Sequence, residues 1–383
     1  MSNAVDWTNN SIQRELKDAS IQAWELNSNT YNKGIISDKS SRYSHGTYWE
    51  YNKAFFLSSQ VVERQPGTVT PIAKYQVSKS SFVIPQFHLG VAVTNEEIVE
   101  ASDVLDPMMD AADFLGNNFI VDYEVDFANT FVADDVWEYQ AVGQAGATTL
   151  PIDGDVTLDV ADADGGRFQQ FDQLTSSDPI EIFKQCIRTV QKETGLRLNK
   201  LLIPRIVFDK IMNNDNVKQW AANTIGINGG DMQTKAILKQ NMDFAGEIHI
   251  IEMSYQTITS IAYANRDTQD HNFGQTSTPT FGEMEWVLNK SCLFMYTDPR
   301  STLGKYSKTA AACMKWDGLI DTMTNVSGVR RGEFENSDMA APNLMIRGRY
   351  DEVNFTNYVE GYFAYDNNVI VPNLGFYLKD CIA

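Results

Sequence analysis

Arg347-Gly348-Arg349-Tyr350-Asp351-Glu352 leads through Glu360-Gly361-Tyr362-Phe363-Ala364-Tyr365-Asp366 to Val369-Ile370-Val371, and then to Gly375-Phe376-Tyr377-Leu378-Lys379-Asp380. Apolar and polar residues alternate along much of this stretch. A period of two belongs to a half-buried strand, so the pattern predicts antiparallel strands. Chain ends fray unless a sheet holds them, so these strands are expected to complete a domain begun much earlier.

Working back from there, residues 176 to about 340 predict a compact α/β unit. Asp178-Pro179 starts a helix carrying Ile180, Phe183, Ile187 and Val190, and Gly195 ends it. Asn199 to Pro204 reads as a buried strand, followed by a helix through Phe208 and Ile211. A further helix is expected over about Thr234 to Met242, and Glu247 to Ile251 is again strand-like. Residues 134 to 175 are Asp- and Gly-rich, with a small hairpin expected from Thr148 to Val160 around Asp153-Gly154.

A long helix precedes all of this. Asp106 can cap it, Pro107 suits the first helical position, and Asp110 and Asp113 favour the positive end of the dipole. Met108, Ala112, Leu115, Phe119, Tyr123, Phe127 and Phe131 recur every three or four residues, while Asp122, Glu124 and Asp126 are placed on other faces. About 25 residues span roughly 38 Å, a length that suits a spine crossing a whole domain.

Ahead of the helix, residues 41 to 93 read as an extended β excursion with Gln65-Pro66-Gly67-Thr68 as its turn. In the polar residues 1 to about 40, Ile12, Leu16, Ala19, Ala23 and Leu26 form a narrow helical seam. A seam that narrow does not hold a helix in water, so an arm docked on its own or a neighbouring subunit is expected.

The formal net charge is −19, from 31 basic and 50 acidic residues. Such a surface repels phosphate, which disfavours sequence reading of nucleic acid and binding to an anionic membrane. Cys186, Cys292, Cys313 and Cys381 have no CxxC spacing and predict free, buried thiols of a reducing compartment. No apolar run follows a basic start, and none approaches 18 residues, so neither a signal peptide nor a membrane span is expected.

Catalytic signatures are equally scarce. His45, His88, His249 and His271 are scattered, and His249, inside an apolar strand pattern, is expected to be structural. HExxH, GxSxG, GxxxxGK[ST] and GxGxxG do not occur. Asp162-Ala163-Asp164-Gly165 suggests a calcium loop, but Val160 and Phe171 stand where oxygen ligands are needed. No metal, cofactor or catalytic residue is therefore nominated. Arg330 with Arg331, and Arg347 with Arg349, are expected to pair with acidic neighbours.

Three collinear blocks carry a resemblance to the major capsid proteins of tailed bacteriophages. The first is Arg64-x-Pro66-Gly67 with Tyr75-Gln76-Val77-Ser78, leading to Leu105-Asp106-Pro107. The second runs from Ser177-Asp178-Pro179 to Thr194-Gly195 and on to Asn199-x-Leu201-Leu202; the third is the Tyr350 to Asp380 ending. With their order and spacing they cover about two thirds of the 383 residues.

The resemblance implies an α+β chain with the HK97-like capsid fold. Residues 1–40 would be the N-terminal arm and 41–90 the extended β loop. Residues 91–175 and 341–383 would form the peripheral domain, with the spine helix over about 105–132, and 176–340 the axial α/β domain. It further implies a homo-oligomer of hexamers and pentamers that self-assembles into an icosahedral shell. A separate scaffolding protein, a portal and a decoration protein would be its partners, and packaged DNA would be touched non-specifically. Assembly would take place in the host cytoplasm and the product would be the virion. Inter-subunit contacts are expected at Trp49, Tyr51, Arg64, Pro66 and Gly67 of the loop and at Ile12 and Leu16 of the arm. The glycine-rich Ile225 to Gly230 would be an axial tip loop. Two alternatives stay open: a cellular encapsulating shell around an enzyme, and an acidic soluble hydrolase with an unidentified carboxylate site.

Overall fold

The computed structural model describes residues 34–50, 59, 61, 63, 78–101, 106–145, 166–219, 231–264, 276–298, 308–316 and 344–383. The arm seam, most of the extended loop, the hairpin near Asp153, the acidic turn near Asp162, Ile225–Gly230 and the Arg330-Arg331 pair lie outside the described residues. Among the described residues no helix is long and apolar enough to cross a membrane, a statement that leaves β-barrels aside.

Two sheets organise the chain. In the first, β1 (Ser37–Ser41) runs parallel to β12 (Ala311–Trp316), which pairs antiparallel with the second half of β14 (Thr356–Val369). The first half of β14 pairs antiparallel with both β13 (Leu344–Asp351) and β4 (Gln86–Thr94). Along β14 buried and half-buried residues alternate, as the pattern of this stretch predicts. A separate antiparallel pair is formed by β2 (His45–Glu50) and β3 (Ser78–Val83). The short helix α1 (Asn95–Glu100) follows β4 and starts on a capping box in which Thr94 and Glu97 each satisfy the other's backbone N–H.

The spine helix α2 (Pro107–Phe131) packs across this sheet. Asp106 caps it by accepting from the Met108 and Met109 amides at 3.0 and 3.3 Å. Every residue of the expected seam is buried. Phe119 and Tyr123 meet Phe363 and Tyr365 of β14 through ring contacts of 5.0 to 6.3 Å. At the far end the Trp137 indole donates to the Phe131 carbonyl at 2.6 Å, satisfying one of the helix's orphan acceptors. Glu124 departs from expectation. It is fully buried, because the helix is covered over a wider arc than the seam alone describes.

The second sheet has six strands in the order β6 (Gly166–Gln169), β5 (Tyr139–Gln144), β15 (Gly375–Lys379), β11 (Cys292–Met295), β7 (Lys200–Pro204) and β8 (Glu247–Ile251). Helices α3 (Pro179–Thr194), α4 (Arg205–Asn213) and α5 (Asp231–Asn241) precede or follow its strands. Asp178 caps α3 and Gly195 closes it in the left-handed conformation at φ 70°, as its sequence predicts. Leu201, Ile203, Ile248, Phe294, Phe376 and Leu378 belong to one core with Phe183, Ile187 and Phe208 of α3 and α4. Leu202, Leu293, Met295 and Tyr377 belong instead to the core of the spine helix. The sheet thus has apolar cover on both faces, which is why its strands read as continuous apolar runs.

The two sheets draw on distant parts of the chain. β5, β6 and β15 sit with β7, β8 and β11, while β12 joins β1, β13 and β14. The physical reason lies in β15 itself: four of its five residues are buried, so it needs cover on both faces. A 3-10 turn at Pro372–Leu374 carries the chain from β14 across to that place.

Between β8 and β11 the chain makes a long antiparallel ribbon of β9 (Ser254–Ala264) and β10 (Thr276–Trp286).

Candidate assembly interfaces

Of the residues nominated as inter-subunit contacts, Trp49 alone falls within the described residues. Tyr51, Arg64, Pro66, Gly67, Ile12 and Leu16 lie outside them. Trp49 pairs with Lys79 across β2 and β3, and the Lys79 ammonium sits 4.3 Å from the centre of the indole. A cation over an aromatic face holds the ring in place. Tyr48, next along the strand, faces inward and is buried, and burial together with Glu50 raises its pKa. The Trp49–Lys79 pairing is a cross-strand relationship that sequence spacing did not reveal.

A second surface lies at the end of the first sheet. The turn from β13 to β14 is organised by Asp351, which accepts from the Val353 amide at 3.0 Å and from the Asn354 side chain at 2.7 Å. Phe355 follows with φ 50°, in the left-handed region that bulky residues rarely enter. Its carbonyl accepts from the Asn95 amide at 3.0 Å, which ties the turn to the start of α1. Val353, Phe355 and Val99 are 80%, 64% and 62% exposed there. Sequence reasoning passed over this tip, although Val353 and Phe355 between polar turn residues were its visible sign.

Charge is arranged along the spine. Asp122 accepts from the Tyr365 hydroxyl at 3.1 Å, and Asp126 from the Asn367 side chain at 2.8 Å. Desolvation raises the pKa of Asp122, Asp126 and Asp366 above the usual carboxylate value, and the Asp126 charge adds to the effect on the other two. Arg349 reaches Glu360 at 3.5 Å on the paired strand, in keeping with the ion pairing expected of it.

Neither of two surface clefts holds a recognisable constellation of acid, base and nucleophile. One, of about 310 Å³, lies by the end of α2 and contains Ser291, Tyr377 and the Lys379–Asp134 ion pair. The other, of about 260 Å³, is lined by Lys184, Arg188 and Arg197, with Arg197 bound to Asp243 at 2.8 Å. His249 stands 3.4 Å from Glu247, which also binds Lys200. All four cysteines are free and buried, and burial raises the pKa of Cys186, Cys292 and Cys313. Among the described residues no group of three or more His, Cys, Asp or Glu is placed to hold a metal ion.

No family model and no curated protein matches the sequence. Solved structures do match. A phage-related protein from Bordetella bronchiseptica RB50 superposes with a TM-score of 0.58 over 95% of this chain and 97% of its own, at 11% identity. The capsid structure of the cyanophage P-SCSP1u superposes with a TM-score of 0.52 over 91% of this chain and 86% of its own, at 9% identity. The chain has the HK97-like capsid fold. At such identities the capsid fold is shared as a course of the backbone rather than as a set of residues. Two of the collinear blocks read from the sequence, the capped α3 with β7 and the β13 to β15 ending, are regular elements of that capsid fold here.

Proposed function

We propose that this chain is the major capsid subunit of a tailed bacteriophage, a structural protein that self-assembles into the icosahedral shell enclosing the genome. The observation that carries this reading is the near full-length overlap with a capsid fold, over 95% and 91% of this chain.

In this reading the first sheet, α2 and the β2–β3 pair make up the peripheral part, and the second sheet with α3 to α5 the axial part. Hexamers and pentamers form through many weak contacts, multiplied by closed symmetry. Trp49 anchors the base of the extended loop, and Tyr51, Arg64, Pro66 and Gly67 extend the contact over a neighbour. Ile12 and Leu16 fasten the arm to another. Packaged DNA meets an acidic wall and is touched without sequence preference, consistent with the net charge of −19. A separate scaffolding protein, a portal and a decoration protein complete the particle, which is built in the host cytoplasm.

Expression of the chain with sedimentation and electron microscopy tests the reading. Closed shells, open sheets or tubes of ring-like units are expected; a small closed oligomer that never grows, with or without scaffold, overturns it. Cargo analysis of the shells then separates a genome container from an enzyme container. Shortening Gln60 to Tyr75 to a tight turn is expected to leave folded subunits that no longer build shells, and normal shells from that variant would remove the loop's role.

A further inference from the structure

The ribbon of β9 and β10 carries an apolar stripe along one side. Across it Ile258 pairs with Phe281, Gln256 with Met284 and Ser254 with Trp286. Cross-strand partners share a face, as do residues two apart on one strand. Ile258, Phe281, Met284 and Trp286 therefore all point the same way. A bulge between Phe281 and Met284 makes this possible, since residues three apart on a regular strand point to opposite faces. The side chain of Thr257 donates to the Glu283 carbonyl at 2.9 Å within that bulge. The four apolar residues are 52%, 59%, 62% and 44% exposed.

Among the described residues β9 and β10 pair only with each other. A two-stranded ribbon is marginal in water without packing on one face. Its root is fixed: the Val287 amide donates to the Met253 carbonyl at 3.0 Å, and Leu288 enters the core of the spine helix. Beyond that root the stripe has no described cover.

We propose that the stripe docks on a second copy of this chain, an inference that rests on the shell-subunit reading above. Area argues for it. Four such side chains, each about half exposed, present on the order of 400 Å². A stable pairwise complex buries about 800 Å² on each partner. A patch of half that size holds a contact only where the contact recurs, and copies of one chain around a closed ring supply the recurrence. Charge points the same way. Glu283 and Glu285 are exposed beside the stripe on a chain of net charge −19, which turns away nucleic acid and anionic membrane and leaves a protein surface as the occupant.

The test uses the full chain with Met284→Cys. The native cysteines are buried, so the new thiol is the accessible one. Labelling by a water-soluble maleimide is expected to be several-fold slower in assembled particles than in dissociated subunits. The double variant Ile258→Thr/Phe281→Thr is expected to keep its circular dichroism and lose assembly. Shells whose thiol stays as reactive as in free subunits overturn the inference alone, as does a double variant that assembles like the parent. Protection gained only on adding a different protein also overturns it, that protein then being the occupant. If shells never form but protection rises with chain concentration, the inference stands and the shell reading falls. A monomer with a reactive thiol at every concentration overturns both.

Discussion

The Tyr365 hydroxyl donates to Asp122 at 3.1 Å and so joins the middle of β14 to the middle of the spine helix. The bond is part of a row of carboxylates, Asp122, Asp126 and Asp366, whose pKa values are all raised, first by desolvation. An acid whose folded pKa exceeds its unfolded one binds more protons when folded. Its stabilising effect is complete below the unfolded value of about 4 and is lost as pH rises through the folded value. Asp366→Asn is therefore expected to raise the melting temperature at neutral pH and to change little at and below about pH 4. Melting curves across that range check the sign, and a gain that grows toward acid would refute it.

Gly375 opens β15 directly against Trp137. A Cβ there would come within 2.0 Å of the indole, which is itself buried and hydrogen-bonded to the end of α2. Gly375→Ala is expected to cost about 1–3 kcal/mol by overpacking, read as a shift in the denaturant midpoint. An unchanged midpoint would mean that the ring has room to move.

Lys315 of β12 has no exposed surface and binds Asp38 of β1 at 2.6 Å. Asp38→Ala removes that acceptor from a buried cation and is expected to cost about 2 kcal/mol. Adding Lys315→Met should restore most of the loss, because an apolar side chain of similar length needs no acceptor. Equal losses in the single and double variants, measured by chemical unfolding, would show the pair to be inert.

Phe355 combines a left-handed backbone with an exposed ring. Asparagine tolerates that conformation far better, so Phe355→Asn is expected to stabilise the isolated subunit by about 0.5–1 kcal/mol. The gain would come with weaker assembly if the ring serves a contact. Thermal melting and sedimentation of the same sample separate the two effects.

Local signals in the sequence carried furthest. Asp106 with Pro107 and Asp178 with Pro179 mark helix starts through groups only two or three residues apart, and both were legible. The alternation read from Arg347 to Val371 likewise showed strands, observed as Leu344–Asp351 and Thr356–Val369. Partners were not legible. The pattern at Gly375 to Lys379 shows a strand but not that it lies between Cys292–Met295 and Tyr139–Gln144, because such pairing is set by tertiary burial. The apolar stripe was hidden for a different reason. Phe281 and Met284 stand three apart, a helical spacing, and only the bulge turns them to one face of a ribbon. Among the expected contacts, Trp49 was nominated for its aromatic character, while its Lys79 partner became visible only with the strand register.

The position of β15 sets an order of events. It lies between β5 and β11, and every other strand of its sheet comes earlier in the chain. A ribosome therefore finishes both halves of that sheet before it makes the strand that joins them. Until Lys379 clears the exit tunnel the two halves have no common centre. A chain stopped before Gly375 thus lacks the strand that makes one sheet of the two halves, however complete each half is.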